Sequence, residues 1–383
     1  MNTPRRRRVC WITTTPLIAN AFLGAHLREL AKHYDVTLAI NLNDGYPLRP
    51  VDAAVKVVGL PLQRKISPMR DVVALLALLR LVMRERYDAV HSFAPKAGLL
   101  GMLAARLAGV PCRAHTFQGE VWVRRNGPMR MILKTADWLT ARLANRVLVV
   151  GKGERAFLER EGVVPAGCGI VLGEGSISGV DTVRFAPNRA ARIRVRDELA
   201  VRDEDFLVLC LGRVVRDKGV LDLAAAFERV RATFLNAMLV FVGPDEEGIA
   251  PSVLAAAGAA AGRVRFVDYT DRPEDYLAAA DLVCVPSYRE GFCTVVVEAA
   301  ASGVPALASR IYGTEGGLVD EVTGKYLPAG DVPEWASNIV AMAADPARRE
   351  QMGRAGRAYV MENFQVERSV AEMRAFYARE LGF

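Results

Sequence analysis

The chain has 383 residues, of which 51% are apolar and 24% are charged. A chain of this length exceeds what one hydrophobic core usually organises, so two domains are expected. The sequence has no low-complexity stretch and no repeat of fixed period, which argues against a solenoid or a disordered scaffold.

The formal net charge of +7 is unevenly distributed along the chain. Residues 1–190 hold 28 Lys and Arg against 14 Asp and Glu, a balance of +14, whereas residues 191–383 hold 22 against 29. We expect the basic half to face an anionic partner such as a membrane, a phosphorylated substrate or nucleic acid. The run Arg5–Arg8 has no interleaved aromatic residues, which favours a solvated or membrane-facing arm over nucleic-acid binding.

Cysteine and histidine usage argues against a disulfide framework and against a metal site. The six cysteines form no C-x-x-C pair, and the four histidines show no ligand spacing. We therefore predict buried, reduced thiols and no bound metal. The longest apolar segment, 72–83, is interrupted by Arg80 and is shorter than the ~20 residues that a membrane span needs.

Short apolar strands alternate with amphipathic segments along the first half. Strands are predicted at 9–13, 36–40, 89–92, 113–117, 147–150 and 170–172. Helices are predicted at 21–33, 71–86, 97–108, 129–143 and 154–161. Continuous apolar strands between helices are typical of a parallel sheet covered on both faces.

The same alternation restarts after the basic stretch 181–204, which has no strand pattern. Strands are predicted at 206–211, 238–242, 264–267, 282–286 and 305–309, and helices at 220–233, 252–260, 273–280, 294–302 and 332–344. We predict an α/β fold with two Rossmann-like doubly wound domains facing across a cleft. The predicted domains are residues 1–185 and 186–362. A terminal helix over 363–383 follows, with Val366, Val370, Met373 and Tyr377 on its apolar side.

The strongest motif runs from Pro286 to Glu298 and follows a predicted buried strand. Free amides at the helix start near Thr294 favour an anion. Glu290 and Glu298 bracket this turn, and carboxylates accept hydrogen bonds from sugar hydroxyls.

A second motif, from Leu211 to Gly219, also lies between a strand and a helix. Gly212 permits a tight turn, while Arg213 and Lys218 supply two cations. Paired cations at a strand end suit a diphosphate leaving group.

These motifs resemble the retaining family-4 glycosyltransferases of the GT-B fold, and the resemblance extends over nearly the whole chain. It implies that Glu290 contacts the transferred sugar and Glu298 the ribose. It also implies that Gly212, Arg213 and Lys218 hold the diphosphate without a metal, and that the C-terminal helix returns to the first domain. The implied amides around the sugar phosphate belong to Gly291, Phe292, Cys293 and Thr294. Many relatives differ at the last two positions, so sugar selectivity is not carried across.

In the first half, three segments that follow predicted strands are candidates for substrate contact. The segment Arg113–Trp122 resembles the place where the family positions a histidine by the donor sugar. His115 is therefore predicted to bind a sugar hydroxyl or to stabilise positive charge through its carbonyl. Thr15 and Asn20 are predicted to contact the acceptor. Lys96 either binds an acceptor phosphate or is an ordinary surface lysine.

The resemblance implies a hexosyltransferase that moves a sugar from a UDP-sugar to a polyprenyl-pyrophosphate-linked saccharide, with retention. Bacterial lipopolysaccharide O-antigen, capsule or glycoprotein assembly is the implied setting, with an N-acetylhexosamine as one possible donor sugar. We expect a cytoplasmic enzyme, peripheral on the inner membrane, with no cofactor and no nucleic-acid partner. Two alternatives stay open. One is a GT-B transferase or nucleotide-sugar epimerase acting on a small soluble substrate, and the other is a non-catalytic sugar-nucleotide-binding membrane scaffold.

Overall fold

The computed structural model describes residues 5–64 and 66–382. They divide into two compact units. Unit 1 runs to residue 178 and includes the residues from 366 onward, and unit 2 covers residues 179–365.

Unit 1 is built on a seven-stranded parallel sheet in the order β3-β2-β1-β4-β5-β6-β7. Its strands are β1 (Arg8–Thr13), β2 (Asp35–Ile40), β3 (Lys56–Gly59), β4 (Ala89–Phe93), β5 (Cys112–Phe117), β6 (Arg146–Val149) and β7 (Gly169–Val171). The central strands are almost wholly buried, which explains their continuous apolar pattern. The sequence analysis missed β3 because this edge strand is largely exposed and lacks that pattern.

The helices of unit 1 connect these strands on both faces of the sheet. They are α1 (Pro16–Ile18), a π-helical turn (Ala19–Leu23), α2 (Gly24–Ala31), α3 (Pro68–Glu85), α4 (Pro95–Leu107), α5 (Gly127–Leu143) and α6 (Lys152–Arg160). The single helix predicted over 21–33 is thus a π-helical turn running into α2. Proline at the first turn of α3, α4 and α5 has no amide hydrogen to leave unpaired there.

Unit 2 has a six-stranded parallel sheet in the order β10-β9-β8-β11-β12-β13. Its strands are β8 (Phe206–Leu211), β9 (Ala237–Val242), β10 (Val264–Val267), β11 (Leu282–Val285), β12 (Ala306–Ser309) and β13 (Gly324–Leu327). The edge strand β13 was missed, as β3 was. The strand order reverses between β8 and β11, where ligands of open α/β sheets bind.

The helices of unit 2 are mostly short. They are α7 (Arg189–Glu198), α8 (Val220–Thr233), α9 (Ala250–Ala256), α10 (Pro273–Ala279), α11 (Thr294–Ala301), α12 (Val332–Ala344) and α13 (Pro346–Asn363), with 3-10 helices at Arg216–Lys218 and Gly258–Arg263. The sequence analysis missed α7 and α13. Both carry many charged residues and few buried apolar ones, so their apolar periodicity is weak.

The last helix, α14 (Val366–Leu381), belongs to unit 1. The Tyr377 hydroxyl accepts a hydrogen bond from Trp11 Nε1 at 2.7 Å and lies 2.9 Å from His91 Nδ1. Met373 and Tyr377 are buried as predicted, together with Phe376. The expected return of the C-terminal helix to the first domain is therefore confirmed.

Two expectations about the first half need correction. The Arg5–Arg8 run is not a free arm, because Arg5 and Arg7 pair with Asp88 at 3.3 and 3.0 Å and Arg8 begins β1. Five cysteines are buried, but Cys168 is exposed because it lies in a surface turn rather than in a strand or helix. Within residues 5–64 and 66–382, no helix combines the length and apolarity that a bilayer crossing demands.

Candidate active site

The predicted cation and carboxylate of the two motifs meet at the reversal point of the unit 2 sheet. Lys218 Nζ donates to Glu290 Oε1 at 2.5 Å, and the Ser287 hydroxyl donates to the same oxygen at 2.7 Å. The Lys218 and Glu290 side chains are 24% and 13% exposed, so solvent still reaches both. The site therefore holds a cation and a carboxylate side by side, paired with each other and both partly exposed.

Close backbone packing brings the two loops together. Gly219 has a φ of +67°, and a Cβ there would lie 2.1 Å from the carbonyl oxygen of Pro286. The Tyr288 backbone amide donates to Asp217 O at 2.9 Å, and the Tyr288 side-chain hydroxyl donates to the Asp222 carboxylate at 2.9 Å. Only glycine fits at position 219, and this fixes the loop after β8 against the loop after β11.

Arg213 leaves the end of β8 in a different direction from Lys218. Gly212 has a φ of +142°, and a Cβ on Gly243 would lie 2.2 Å from the Gly212 carbonyl oxygen. The Arg213 guanidinium pairs with Glu246 at 2.7 Å and is 39% exposed. In the structure, Arg213 and Lys218 therefore pair with different carboxylates, Glu246 and Glu290. The sequence analysis missed Glu246, although the run Asp245–Glu247 after β9 marks an acidic loop at the same sheet edge.

Glu298 lies on α11 in a setting that favours its neutral form. Part of the residue's surface is open, but its carboxyl group is enclosed, and this burial raises its pKa to about 7. The Arg184 guanidinium lowers that pKa and Glu274 raises it again. Arg184 itself donates to Glu274 at 2.8 Å. Near neutral pH both forms of the carboxyl group are therefore populated, and the ionised form can accept hydrogen bonds from two hydroxyl groups.

The start of α11 is only partly available to an anion. No side chain caps the helix, which leaves its dipole open to a negative group. The Cys293 amide, however, donates to Gly313 O at 2.8 Å. Phe292 packs against Phe364, with ring centroids 5.5 Å apart. Of the segment predicted to line a phosphate, Cys293 is therefore corrected to a structural residue, whereas Gly291 and Thr294 stay candidates.

In unit 1, the His115 ring lies inside β5 rather than at its end. Its Nδ1 is 2.8 Å from the Ser92 hydroxyl, and a Cβ at position 98 would lie 2.5 Å from its Cε1. The residue is 1% exposed, and burial lowers its pKa to about 3. The predicted contact between this ring and a sugar hydroxyl has no support here, because the ring is enclosed by Ser92 and Gly98.

Gln118 is a residue that the sequence analysis missed. It is the first residue after β5, and its buried Nε2 has no hydrogen-bond partner among the described residues. An unpaired buried donor is costly, and binding sites are where such a cost is usually retained. The position directly after a strand end was the signal that could have identified it.

The predicted acceptor residues are engaged within unit 1. The Thr15 hydroxyl accepts from the Leu17 amide at 3.3 Å. The Asn20 side chain holds the neighbouring loop through Pro47 O and the Arg49 amide. The structure therefore gives Thr15 and Asn20 local structural roles.

Lys96 is also engaged, because its Nζ donates to Asp71 Oδ1 at 2.7 Å and its side chain is only 13% exposed. It is therefore neither an ordinary surface lysine nor an unneutralised cation. An acceptor phosphate would have to compete with Asp71.

Three buried carboxyl groups cluster beyond the end of β5. Trp122 Nε1 donates to Asp137 Oδ2 at 2.8 Å, and Glu154 accepts from the amides of Gly119 and Val150 at 2.6 and 2.8 Å. Burial raises the pKa values of Asp137 and Glu154 to about 7.

The third member of this cluster is Glu120, which is buried and whose charge further raises the pKa of Asp137. Neighbouring buried carboxyl groups disfavour each other's ionised form. Across the described residues, no group of three His, Cys, Asp or Glu has the arrangement of a metal site.

Comparison with known proteins agrees with this geometry. Residues 20–171 match the model of the glycosyl transferase 4-like domain, and residues 191–359 match the model of glycosyl transferases group 1. The chain belongs to the family-4 glycosyltransferases of the GT-B fold. Its two parallel α/β units are the two Rossmann-like domains that this fold requires.

Two curated relatives span most of this glycosyltransferase. The capsular polysaccharide biosynthesis glycosyltransferase CapM of Staphylococcus aureus is 24% identical over 351 residues, 91% of each chain. The UDP-Gal:α-D-GlcNAc-diphosphoundecaprenol α-1,3-galactosyltransferase of Escherichia coli is 25% identical over 334 residues, 85% of this chain and 84% of the relative.

Solved structures share the fold at lower identity. The sucrose-phosphate synthase of Thermosynechococcus elongatus superposes with a TM-score of 0.83 at 22% identity, covering 98% of this chain and 99% of that one. HepE of Anabaena, solved with UDP-glucose, superposes with a TM-score of 0.77 at 16% identity, and the match covers 97% of this chain and 99% of HepE.

Proposed function

We propose that this glycosyltransferase moves a sugar from a UDP-sugar to a polyprenyl-pyrophosphate-linked saccharide, with retention, in the assembly of a bacterial surface glycan. The observation that carries the donor half of the proposal is the contact between Lys218 and Glu290 at the reversal point of the unit 2 sheet. The name of the Escherichia coli relative supports the lipid-linked acceptor.

The donor diphosphate is proposed to exchange places with the carboxylates that now hold the two cations. Lys218 leaves Glu290, and Arg213 leaves Glu246, because a diphosphate offers each cation more negative charge than one carboxylate does. Glu290 is then free to accept hydrogen bonds from the sugar hydroxyls, with Ser287 still donating to it. Two cations of this kind neutralise a departing diphosphate, so we propose that no metal is required.

The nucleoside is proposed to bind with its ribose diol on Glu298. An ionised carboxylate accepts two hydroxyl hydrogens at once, and the nearby Arg184 favours that ionised form. UDP is the proposed nucleotide, in line with HepE of Anabaena, which was solved with UDP-glucose. An N-acetylhexosamine is one donor to be included among the tests.

Retention is proposed to follow from attack on the same face of the sugar. The acceptor hydroxyl forms its bond to the anomeric carbon as the bond to the diphosphate breaks. The departing phosphate oxygen takes the hydroxyl proton, so the side chains position and neutralise rather than attack. Gln118 is proposed to donate a hydrogen bond to the acceptor from the end of β5.

The acceptor and location are proposed from charge and from relatives. Unit 1 carries 29 Lys and Arg against 16 Asp and Glu in its sequence. A positive excess of this size favours binding to an anionic membrane surface and to a pyrophosphate group. We propose peripheral association with the cytoplasmic face of the inner membrane.

The experiment that tests the proposal combines binding and transfer. Thermal unfolding is measured with UDP, GDP and dTDP and with several UDP-sugars, and transfer is then measured to a detergent-solubilised polyprenyl-pyrophosphate saccharide and to a soluble saccharide. We expect UDP and one UDP-sugar to stabilise the protein and transfer to need the pyrophosphate. Stabilisation by GDP or dTDP alone, or equal transfer to the soluble sugar, would contradict it.

A further inference from the structure

Helix α3 exposes apolar side chains on the face opposite its buried one. Ala74, Leu78 and Val82 are buried, and the large side chains opposite them are 56–85% exposed. These exposed residues are Met69, Val72, Val73, Leu76 and Met83. A helix that is apolar all round is normally buried on all sides. Exposure of this apolar face of α3 to water is therefore unfavourable.

Helix α5 repeats the arrangement. Asp137, Thr140 and Ala141 are buried on one side. The other side exposes Met131, Ile132, Trp138 and Leu139, which are 39–71% exposed. The spacing of these residues places them on one stripe of the helix.

Both exposed faces lie on the same side of unit 1. From β3 to β4, β5 and β6 the chain moves across the sheet in one direction. Its first step, from β3 to β4, passes over β2 and β1. Right-handed crossovers then place α3, α4 and α5 on one face of the sheet. Helix α4 lies between the other two and contacts both, so α3 and α5 form one layer with their free faces outward.

The charges on this layer have one sign. The two helices expose Arg70, Arg80, Arg84 and Arg142, and a further exposed arginine, Arg130, pairs with Glu161 of α6 at 3.4 Å. None of the acidic residues of α3 or α5 is exposed: Asp71 pairs with Lys96, Glu85 pairs with Lys56, and Asp137 is buried. The surface is therefore apolar and cationic together.

We propose that these outward faces of α3 and α5, the α3–α5 face, dock this enzyme on an anionic lipid bilayer. The apolar side chains enter the headgroup region while the arginines meet lipid phosphates. Trp138, with the Arg142 guanidinium 5.2 Å above its ring, has the amphipathic character of an interfacial anchor. A second copy of the chain is a poorer occupant, because it would bring arginines against arginines.

This inference rests on the proposed function for the choice of a membrane as partner, and it assigns the surface that makes the contact. Tryptophan fluorescence can report on it directly. Trp11, Trp122 and Trp335 are at most 1% exposed, whereas Trp138 is 41% exposed. A change in emission on vesicle binding therefore comes from Trp138.

The first experiment adds vesicles of phosphatidylglycerol and phosphatidylcholine to the full-length enzyme. We expect a blue shift of emission and weaker quenching by acrylamide, with much smaller effects from pure phosphatidylcholine. W138F should still sediment with the vesicles but show no shift. An unchanged spectrum of the bound wild-type enzyme, or no binding at all, would overturn the proposal.

The second experiment compares matched double variants. V73S/L76S removes two side chains of the α3–α5 face, and I193S/L235S removes two from unit 2 that are 50% and 70% exposed. We expect the first to lose roughly tenfold or more in vesicle affinity and the second to lose little, with both still binding UDP. Equal losses would refute the assignment, as would a wild-type dimer that only V73S/L76S dissociates.

Transfer to the detergent-solubilised acceptor separates this inference from the proposed function. Transfer without vesicle binding would refute the docking face alone. Vesicle binding without transfer would refute the lipid-linked acceptor alone.

Discussion

Lys218 and Glu290 form a direct ion pair, 2.5 Å from Nζ to Oε1, across the loops that follow β8 and β11. The two motifs are more than sixty residues apart in sequence, yet their charged groups neutralise each other. In the proposed function, a diphosphate that takes Lys218 releases Glu290 for the sugar, so we expect donor binding and preparation of the sugar site to be one exchange of partners.

Glu290→Gln should lower kcat by about 10²–10³-fold and leave the affinity for UDP within a few-fold. The neutral amide is a weaker acceptor than a carboxylate, and it replaces one acceptor oxygen by an NH₂ donor. Steady-state kinetics and UDP titration measure the two effects. Glu350→Gln, at a residue whose side chain is 70% exposed, is the control. A large loss of UDP affinity with unchanged kcat would contradict the role given to Glu290.

Glu298 should make UDP binding depend on pH near neutrality. Its pKa of about 7 means that the ionised form, which accepts both ribose hydroxyls, grows as pH rises through that value. UDP affinity should therefore increase between about pH 6 and pH 8 by up to roughly tenfold. In Glu298→Gln the profile should be flat and the affinity lower. A variant with the wild-type profile would show that another group titrates.

Gln118→Leu should separate stability from activity. Replacing an unpaired buried donor by an apolar side chain of similar size removes a desolvation cost of about 1–3 kcal/mol. The free energy of unfolding should rise or stay constant, while transfer falls. Chemical denaturation and the transfer assay check the two outcomes, and a strong loss of stability would mean that Nε2 is paired in solution.

The cluster of Glu120, Asp137 and Glu154 should make the protein less stable as pH rises. In the folded state the pKa values of Asp137 and Glu154 are about 7, against ordinary values of 3.8 and 4.5. The folded state therefore binds more protons between about pH 4 and pH 7, and stability on the order of a few kcal/mol is lost over that range.

Asp137→Asn removes one titrating group of this cluster and keeps an acceptor for Trp122 Nε1. Its unfolding midpoint in urea should vary less between about pH 5 and pH 8 than that of the wild type. Asp331→Asn, at the exposed N-cap of α12, is the control. An unchanged slope in Asp137→Asn would contradict the raised pKa.

Tyr377→Phe should destabilise unit 1 by about 1–3 kcal/mol. The change leaves Trp11 Nε1 and His91 Nδ1 without the hydroxyl that both contact. Tyr359→Phe removes a hydroxyl that donates to an exposed carbonyl, Gly316 O, and should cost much less. Thermal unfolding compares the two, and equal shifts would show that the α14 contact contributes little.

The sequence by itself determined the two α/β units, the central strands and the loops that carry the donor motifs. Continuous apolar strands are buried on both faces, and glycine-bearing loops follow their ends, so local composition contained that information. The edge strand β3 left no such trace because it is largely exposed. The edge strand β13 is buried, but it has only four residues and includes Gly324 and Lys325, so it shows no apolar run.

Only the tertiary structure decided which charges face each other and which polar groups are enclosed. The strand predicted over 113–117 ends at Phe117 as β5 does, but only the fold shows that Ser92 and Gly98 enclose the His115 ring and that Gln118 Nε2 is buried. Sequence spacing suggested free cations at Arg213, Lys218 and Lys96, whereas the fold gives each a carboxylate. Ion pairs and burial join residues that are distant in sequence, and the chain order contains no measure of those distances.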